Sequence, residues 1–152
     1  MPQMSESAIQ DFVARPRLGY LTTLKQDGSP STFPMWVEWD GSVLRMFTSR
    51  DMLKLKRIER DPRINVTIGN DNDEKIQWVC FEGSVKVIAG AGKDLALRLA
   101  DLYWGKNPTD AFQKETVAMW EGSEPEGFRL LELRPDRVNS FTYAEASEAS
   151  TS

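Results

Sequence analysis

The residues best suited to bind an anion are concentrated between positions 47 and 63. This segment holds six of the nineteen Lys and Arg residues of a chain whose net charge is -4. Thr48 and Ser49 add two hydroxyl groups immediately before the first basic residue. Hydroxyl donors beside basic side chains suit a phosphate monoester, because hydrogen bonds to a charged acceptor are stronger than neutral ones. The segment therefore predicts a local site for a small anionic group.

A helix from about residue 51 to residue 60 is predicted to position these groups. Ser49 and Asp51 are favourable N-caps, and Pro62 prevents the helix from continuing. The periodicity predicts a buried face of Met52, Leu55 and Ile58 and a separate basic stripe of Arg50, Lys54 and Arg57. The positive end of the helix dipole also favours a bound anion. The alternative is a solvated basic face on a surface helix.

Composition limits the class of protein. With 152 residues, 40% of them hydrophobic, the chain can build one core. We predict one domain over residues 1–143 and a disordered, small and polar tail at 144–152. An excess of 23 acidic over 19 basic residues argues against binding to nucleic acid or to an anionic membrane. No signal segment or membrane-spanning apolar run is evident, so a cytoplasmic protein is expected.

Histidine is absent, and Cys80 is the only cysteine. The common hydrolytic Ser-His-Asp and Cys-His sets, a HExxH zinc site and an intrachain disulfide are therefore excluded. An enzyme of this composition would leave the difficult chemistry to a bound cofactor that the protein orients. Possible acids or bases are Tyr20, Glu38, Lys86 and Tyr103, but none is identified as catalytic.

Alternating and helical patterns predict a small antiparallel barrel with a few helices. Strands are predicted at residues 18–24, 32–39, 43–48, 64–68, 76–88 and 128–133, the last continued by 138–143 beyond Pro135. Helices are predicted at 7–14, 93–104 and 112–120 in addition to the basic helix. Gly83 is expected to mark a bend or bulge in the long strand.

The second predicted strand carries bulky side chains on both faces. Pro34, Trp36 and Glu38 alternate with Phe33, Met35, Val37 and Trp39. Such a strand is covered on both sides by the barrel together with either a partner subunit or a flat ligand. Ordinary core packing on both faces is the simpler alternative.

Several short motifs occur in an order and spacing that resemble the pyridoxamine 5'-phosphate oxidase-like split-barrel flavoproteins. They are Leu21-Thr22-Thr23-Leu24, Asp27-Gly28-Ser29-Pro30, Pro34-Met35-Trp36-Val37, Met46-Phe47-Thr48-Ser49, Lys54, Arg60-Asp61-Pro62-Arg63 and Phe81-Glu82-Gly83-Ser84-Val85. The resemblance implies a homodimer of six-stranded antiparallel split β-barrels with Greek-key connections. It also implies a flavin-type cofactor in each of two clefts between the subunits.

The resemblance also implies which residues bind the cofactor. Thr48 and Lys54 match residues that hold its phosphate, and Phe47 matches the aromatic residue before them. Pro34, Met35, Trp36 and Val37 match the strand beneath the ring system. Ser49 is a neighbouring hydroxyl, and Gln77 and Trp78 match the region that reaches across from the second subunit.

Two departures argue against oxidation of vitamin B6. Leu53 occupies the position of an arginine that precedes the phosphate-binding lysine in pyridoxamine oxidases, and their C-terminal substrate-phosphate motif is not evident around residues 134–137. The chain is more similar to the shorter branch that includes general stress proteins and deazaflavin-dependent reductases.

The predicted function is an FMN-binding oxidoreductase that transfers hydride between the cofactor and a small substrate, with a reductant as its other partner. The first alternative is a deazaflavin (coenzyme F-420)-dependent reductase, because several Arg and Lys residues of the basic segment suit an acidic cofactor tail. The second is a flavin-binding or heme-binding module, or a stress protein that sequesters a cofactor without turnover. The lack of histidine disfavours heme.

Overall fold

The computed structural model describes residues 2–143, so the tail predicted at 144–152 lies outside the described residues. The helices are α1 (Glu6–Ala14), α2 (Leu53–Arg60), α3 (Lys93–Trp104) and α4 (Ala111–Gly122), followed by a 3-10 turn at Pro125–Gly127. The strands are β1 (Gly19–Leu24), β2 (Pro30–Met35), β3 (Glu38–Trp39), β4 (Leu44–Ser49), β5 (Arg63–Gly69), β6 (Gln77–Ala89), β7 (Phe128–Leu133) and β8 (Arg137–Thr142).

The strands form one antiparallel sheet in the order β2-β1-β5-β6-β7-β4-β3, with β8 paired to β6. The two ends of this order, β2 and β3, are consecutive in the chain. Only two residues, Trp36 and Val37, separate them. The sheet therefore curls until its ends meet there, and it stays split between β2 and β4 beyond that point. The predicted split barrel is confirmed, with eight strands rather than six.

The long strand β6 connects the two halves of the sheet. Its first half pairs with β8 and its second half with β7 along the same edge. The predicted continuation of the final strand past Pro135 is thus correct. Gly83 lies where β6 changes partners, and a Cβ atom there would come within 3.1 Å of the backbone nitrogen of Asp136. The close approach of the two backbones explains the glycine.

Alternating residues of the strands fill the barrel, and two helices pack against it. The buried core includes Leu21, Met46, Val66, Phe81 and Leu131. Phe12 and Val13 of α1 pack into this core, as do Leu55 and Ile58 of α2. The predicted burial of Leu55 and Ile58 is confirmed. Met52 is 43% exposed, so the part of that prediction concerning Met52 is wrong.

Two predicted boundaries differ from the structure for identifiable reasons. The strand predicted at 32–39 is interrupted at Trp36 and Val37, where the amide of Val37 bonds to a side chain instead of a neighbouring strand. The basic helix begins at Leu53 rather than near Asp51, and its N-cap is Met52, which makes no side-chain cap. Ser49 instead ends β4, where it pairs with Phe128.

A largely buried ion pair links the residues just before β1 to the loop between β5 and β6. The guanidinium of Arg17 bonds to both carboxylate oxygens of Glu74, with Nη2 to Oε2 at 2.7 Å, and its Nε donates to the Phe12 carbonyl oxygen at 3.0 Å. Arg17 also lies 4.1 Å from the Phe12 ring centroid. The hydrogen bond from Arg17 lowers the pKa of Glu74 from 4.5 to about 2.

Glu74→Gln should lower the unfolding temperature at neutral pH, because the buried guanidinium of Arg17 would keep only its longer ion pair with the exposed Asp71, at 3.4 Å. A carboxylate with a depressed folded-state pKa contributes stability above its unfolded pKa, and this is lost as pH falls through the folded value. The difference in unfolding temperature between wild type and variant should therefore disappear as the pH falls from 4.5 to about 2. Thermal unfolding at several pH values in this range measures that difference, with Glu115→Gln on the exposed side of α4 as control. A gap that stays constant across the range would contradict this account.

Candidate functional site

The candidate site lies at the split in the barrel, where β2 and β4 diverge and α2 follows β4. Short connections bring these elements together: β4 ends at Ser49 and α2 begins four residues later. The helix packs against β1 beside β2. Its side chains therefore meet the inner residues of the β1–β2 hairpin. This packing brings basic residues of α2 close to residues 34–37.

Lys54 is a buried cation without an anionic partner. Its side chain is on the first turn of α2, and the residue is only 8% exposed. The ammonium group contacts the sulfur of Met35 at 3.5 Å and lies 5.3 Å from the Phe33 ring centroid. Among residues 2–143 no carboxylate forms an ion pair with it. Burial lowers the pKa of Lys54.

A buried charge without a partner is costly to the folded protein, so a position like that of Lys54 needs an explanation. A bound anion supplies one, because it would provide the missing countercharge. The environment contains a thioether and an aromatic ring but, in the described part of the chain, no acidic group that competes for the ammonium. The residues present therefore fit a phosphate group at this place.

Two further cations of α2 follow Lys54 along the β1–β2 hairpin at intervals of three residues. Arg57 donates from Nη1 to the Ser31 hydroxyl at 2.9 Å, and its guanidinium carbon lies 5.7 Å from the Phe33 ring centroid. Arg60 donates from Nη2 to the Leu24 carbonyl oxygen at 2.7 Å. Neither is paired with a carboxylate within residues 2–143. We call Lys54, Arg57 and Arg60 the cation row.

Strand alternation separates the two predicted hydroxyl donors. Thr48 is buried on the side of β4 that also carries Leu44 and Met46, whereas Ser49 is exposed on the opposite side. No hydrogen bond joins Thr48 or Ser49 to Lys54 in the described part of the chain. Thr48 therefore shares the inner side of the split with Lys54, and Ser49 does not.

Residues 34–37 have three different environments. Pro34 is exposed, Met35 and Val37 are buried in the core, and Trp36 is half-buried on the opposite side. Val37 packs closely on the backbone of Gly19, where a Cβ atom would come within 2.7 Å of Val37 Cγ1. The predicted bulk on both faces of this segment is confirmed.

Aromatic rings of α3, α4 and β4 cover the outer side of Trp36. The Trp36 ring stacks on Tyr103, with centroids 4.8 Å apart, and meets Trp104 edge-on at 4.7 Å. Phe47 and Trp120 lie at 6.1 Å from Trp36 and 5.4 Å from each other. We call these five residues the aromatic cluster. Within one chain these rings and the core cover the segment in part, leaving Trp36 half-buried and Pro34 exposed.

Most of the aromatic cluster, and the contacts of Lys54 and Arg57 with β2, could not be predicted from the sequence. Tyr103, Trp104 and Trp120 come from helices more than sixty residues after Trp36, so no local spacing relates them. The one available signal is the presence of five tryptophans in 152 residues. Phe33 and Ser31 were missed as contacts of Lys54 and Arg57 because the helix register against β2 depends on packing.

Gln77 and Trp78 are placed at the start of β6. Gln77 pairs with Thr142, and Trp78 stacks on Phe141 with centroids 6.4 Å apart. Their neighbours are β5 and β8 rather than α2 or residues 34–37. Within one chain the structure therefore does not bring Gln77 and Trp78 to the cation row.

Two of the possible acids or bases are engaged by other groups. Glu38 accepts two hydrogen bonds from Arg98, at 2.8 and 3.0 Å. The Tyr103 hydroxyl donates to the Arg17 carbonyl oxygen at 2.5 Å and accepts from the Val37 amide at 3.2 Å. The site offers a buried cation beside the apolar side chains of Met35 and Phe33, which is a binding arrangement rather than an acid–base one.

Comparison with known proteins identifies similar proteins over most of the chain. Residues 5–141 match the family model of pyridoxamine 5'-phosphate oxidase. An F420 reductase structure matches with 24% identity, covering 91% of this chain and 98% of that chain, at a TM-score of 0.67. General Stress Protein 26 from Bacillus anthracis str. Sterne matches with 22% identity, covering 90% and 92%, at a TM-score of 0.62.

A third structure, the FAD and heme binding protein from Mycobacterium smegmatis, shares 16% identity, covering 97% of this chain and 77% of that chain, at a TM-score of 0.66. Likenesses at these identities show the fold. Comparison with the curated proteins gave no match. None of the helices within residues 2–143 is long and apolar enough to cross a membrane.

Proposed function

The chain belongs to the pyridoxamine 5'-phosphate oxidase family, and we propose that it is a flavin-binding oxidoreductase that transfers hydride between bound FMN and a small substrate. The observation that carries the proposal is Lys54, a buried ammonium with no acidic partner among residues 2–143. Similarity to an F420 reductase and to an FAD and heme binding protein supports a cofactor of flavin type.

Each part of the site has a role in this proposal. Lys54 and Thr48 would hold the phosphate of FMN at the inner side of the split, with Ser49 a further hydroxyl at its edge. Pro34, Met35, Trp36 and Val37 would support the ring system, and Phe47 would close the wall beside them. The bound flavin supplies the hydride chemistry. The protein contributes binding, orientation and exclusion of water from the ring.

A deazaflavin, coenzyme F-420, is the second candidate, and the cation row favours it. Lys54, Arg57 and Arg60 extend about 9 Å along α2, at a rise of about 1.5 Å per residue. FMN has a single phosphate and would use only Lys54. A deazaflavin with an acidic tail would use Arg57 and Arg60 as well. Within the described residues neither arginine forms a direct ion pair with a carboxylate, although, after the hydrogen bond from Arg63, the charge of Arg60 helps to lower the pKa of the neighbouring Asp61.

The absorbance spectrum of the freshly purified protein tests the proposal, since FMN and deazaflavin absorb differently. Steady-state reduction of a dye by NAD(P)H would support an enzyme. Bound cofactor without turnover would instead favour a module that binds or sequesters the flavin. Failure of both FMN and coenzyme F-420 to bind would reject the proposed function.

We expect the protein to be a homodimer in which Gln77 and Trp78 of one subunit reach the cofactor of the other. Tyr20, Trp78 and Phe141 project from the sheet face opposite to the core, and Tyr20 is 46% exposed. A second copy of the chain would cover these apolar groups. An interface of more than about 2,000 Å² in total is expected for such an obligate dimer.

Sedimentation at micromolar concentration measures whether the protein is a dimer or a monomer. Tyr20→Glu places a charge in the expected interface and should produce a monomer with reduced FMN affinity. Leu102→Glu, a similarly exposed position on α3, is the control. A monomeric wild-type protein would remove the intersubunit site from the proposal.

A further inference from the structure

Tyr103 joins two segments that are distant in the sequence. Its hydroxyl donates to the Arg17 carbonyl oxygen at 2.5 Å and accepts from the Val37 amide at 3.2 Å. Both partners are backbone groups, one just before β1 and one between β2 and β3. The amide of Val37 is thereby withdrawn from strand pairing, which is why β2 and β3 are separate strands.

The same side chain also fixes the neighbouring residue. The Tyr103 ring stacks on Trp36 at a centroid distance of 4.8 Å and an interplanar angle of 15°. A single residue of α3 therefore holds the ring of Trp36 and the backbone of Val37. The two residues are consecutive, so neither can turn without breaking a contact with Tyr103.

The residue to which Tyr103 bonds is itself held by several contacts. Arg17 is bonded through its side chain to Glu74 and to the Phe12 carbonyl oxygen. On the other side, Val37 rests on the backbone of Gly19 without room for a Cβ atom. Tyr103 thus connects a fixed point of the core to the segment that closes the sheet.

We propose that Tyr103 is a positioning residue for the flavin ring, because it sets the backbone of Val37 and the ring of Trp36 at the wall against which that ring would lie. This inference rests on the proposed function. Tyr103 acts through these two residues and not on the phosphate, since Lys54 contacts Met35 and Phe33 on the opposite side of the segment. Burial raises the pKa of Tyr103, so the phenol keeps its proton and its two hydrogen bonds at neutral pH.

The test compares Tyr103→Phe with Tyr143→Phe, an exposed tyrosine used as control. Both variants and the wild type are titrated with FMN and with riboflavin, which lacks the phosphate, while flavin fluorescence is followed. Loss of the hydroxyl should weaken binding of both flavins by the same factor, roughly five- to tenfold. The visible circular dichroism of bound FMN should change, and amide exchange at Val37 should accelerate.

The possible outcomes separate this inference from the proposed function. Wild type that binds neither flavin rejects the proposed function and the inference together. Wild type that binds FMN, with Tyr103→Phe less heat-stable but unchanged in affinity and in the circular dichroism of FMN, rejects the inference alone, because Tyr103 is then purely structural. A loss confined to FMN also overturns it, since that places Tyr103 at the phosphate.

Discussion

Replacing Lys54 with methionine should weaken FMN binding by roughly ten- to a hundredfold while leaving the cofactor-free protein at least as stable as the wild type. A hydrogen bond to a charged group contributes about 1.5–3 kcal/mol, and about 1.4 kcal/mol corresponds to a tenfold change in affinity. Methionine has a similar length and no charge. It can pack against Met35 and Phe33, which already surround the ammonium.

The stability part of this prediction follows from the missing partner of Lys54. Replacing an unpaired buried charge by an apolar side chain removes a desolvation cost. Residues selected for packing lose stability when they are changed, whereas binding residues can lose function and keep or gain stability. A loss of affinity together with unchanged or higher stability would therefore identify Lys54 as a binding residue.

Lys56→Met is the matched control, since Lys56 is exposed on the same helix. Fluorescence titration with FMN at two salt concentrations, together with thermal unfolding of the cofactor-free variants, gives both quantities. Equal and small losses of affinity in the two variants would show that the basic segment is only a solvated face of a surface helix.

Local patterns were sufficient for most of the secondary structure. The helix Lys93–Trp104 and the strand Phe128–Leu133 were predicted with the observed boundaries, because their apolar residues repeat with a clear period. The cap of α1 by Ser5 also follows from local chemistry, and the Ser5 hydroxyl accepts from the Ala8 amide at 3.1 Å. These elements are determined by residues close in the sequence.

The interruption at Trp36 and Val37 could not be predicted in this way. Residues 32–39 alternate as one strand, and the group that breaks the alternation is a hydroxyl 66 residues after Val37. The start of α2 was missed for a related reason. Ser49 remains in β4 through its pairing with Phe128, so it cannot cap the helix.

The order of the motifs predicted some residues of the candidate site, whereas other contacts depend on how the elements pack. Thr48 and Lys54 both lie on the inner side of the split, in agreement with a shared role, although their binding of a cofactor stays a prediction. Two contacts of α2 residues, from Lys54 to Met35 and from Arg57 to Ser31, depend on the docking of the helix on the hairpin. Such contacts become visible only when the fold is known.

Trp36→Ala should destabilise the protein by about 3 kcal/mol, the lower part of the range for removing a large packed aromatic side chain, because the ring is half-buried. Trp36 is the member of the aromatic cluster that contacts all four others. Its loss leaves a cavity between the sheet and the α3–α4 pair. Since α4 has no buried residue of its own, its attachment rests on these ring contacts and on the hydrogen bonds from Lys93 Nζ to the carbonyl oxygens of Glu121 and Ser123.

Urea unfolding measures the loss, with the slope of the transition showing whether α4 separates before the barrel unfolds. Phe112→Ala is the matched control, because Phe112 is 69% exposed and has one ring contact, to Trp104. It should cost less than about 1 kcal/mol. A similar small loss in both variants would show that the aromatic cluster does not hold α3 and α4 on the sheet. A larger loss in Trp36→Ala, with a broadened transition, would show that residues 36–37 support the helices as well as the site.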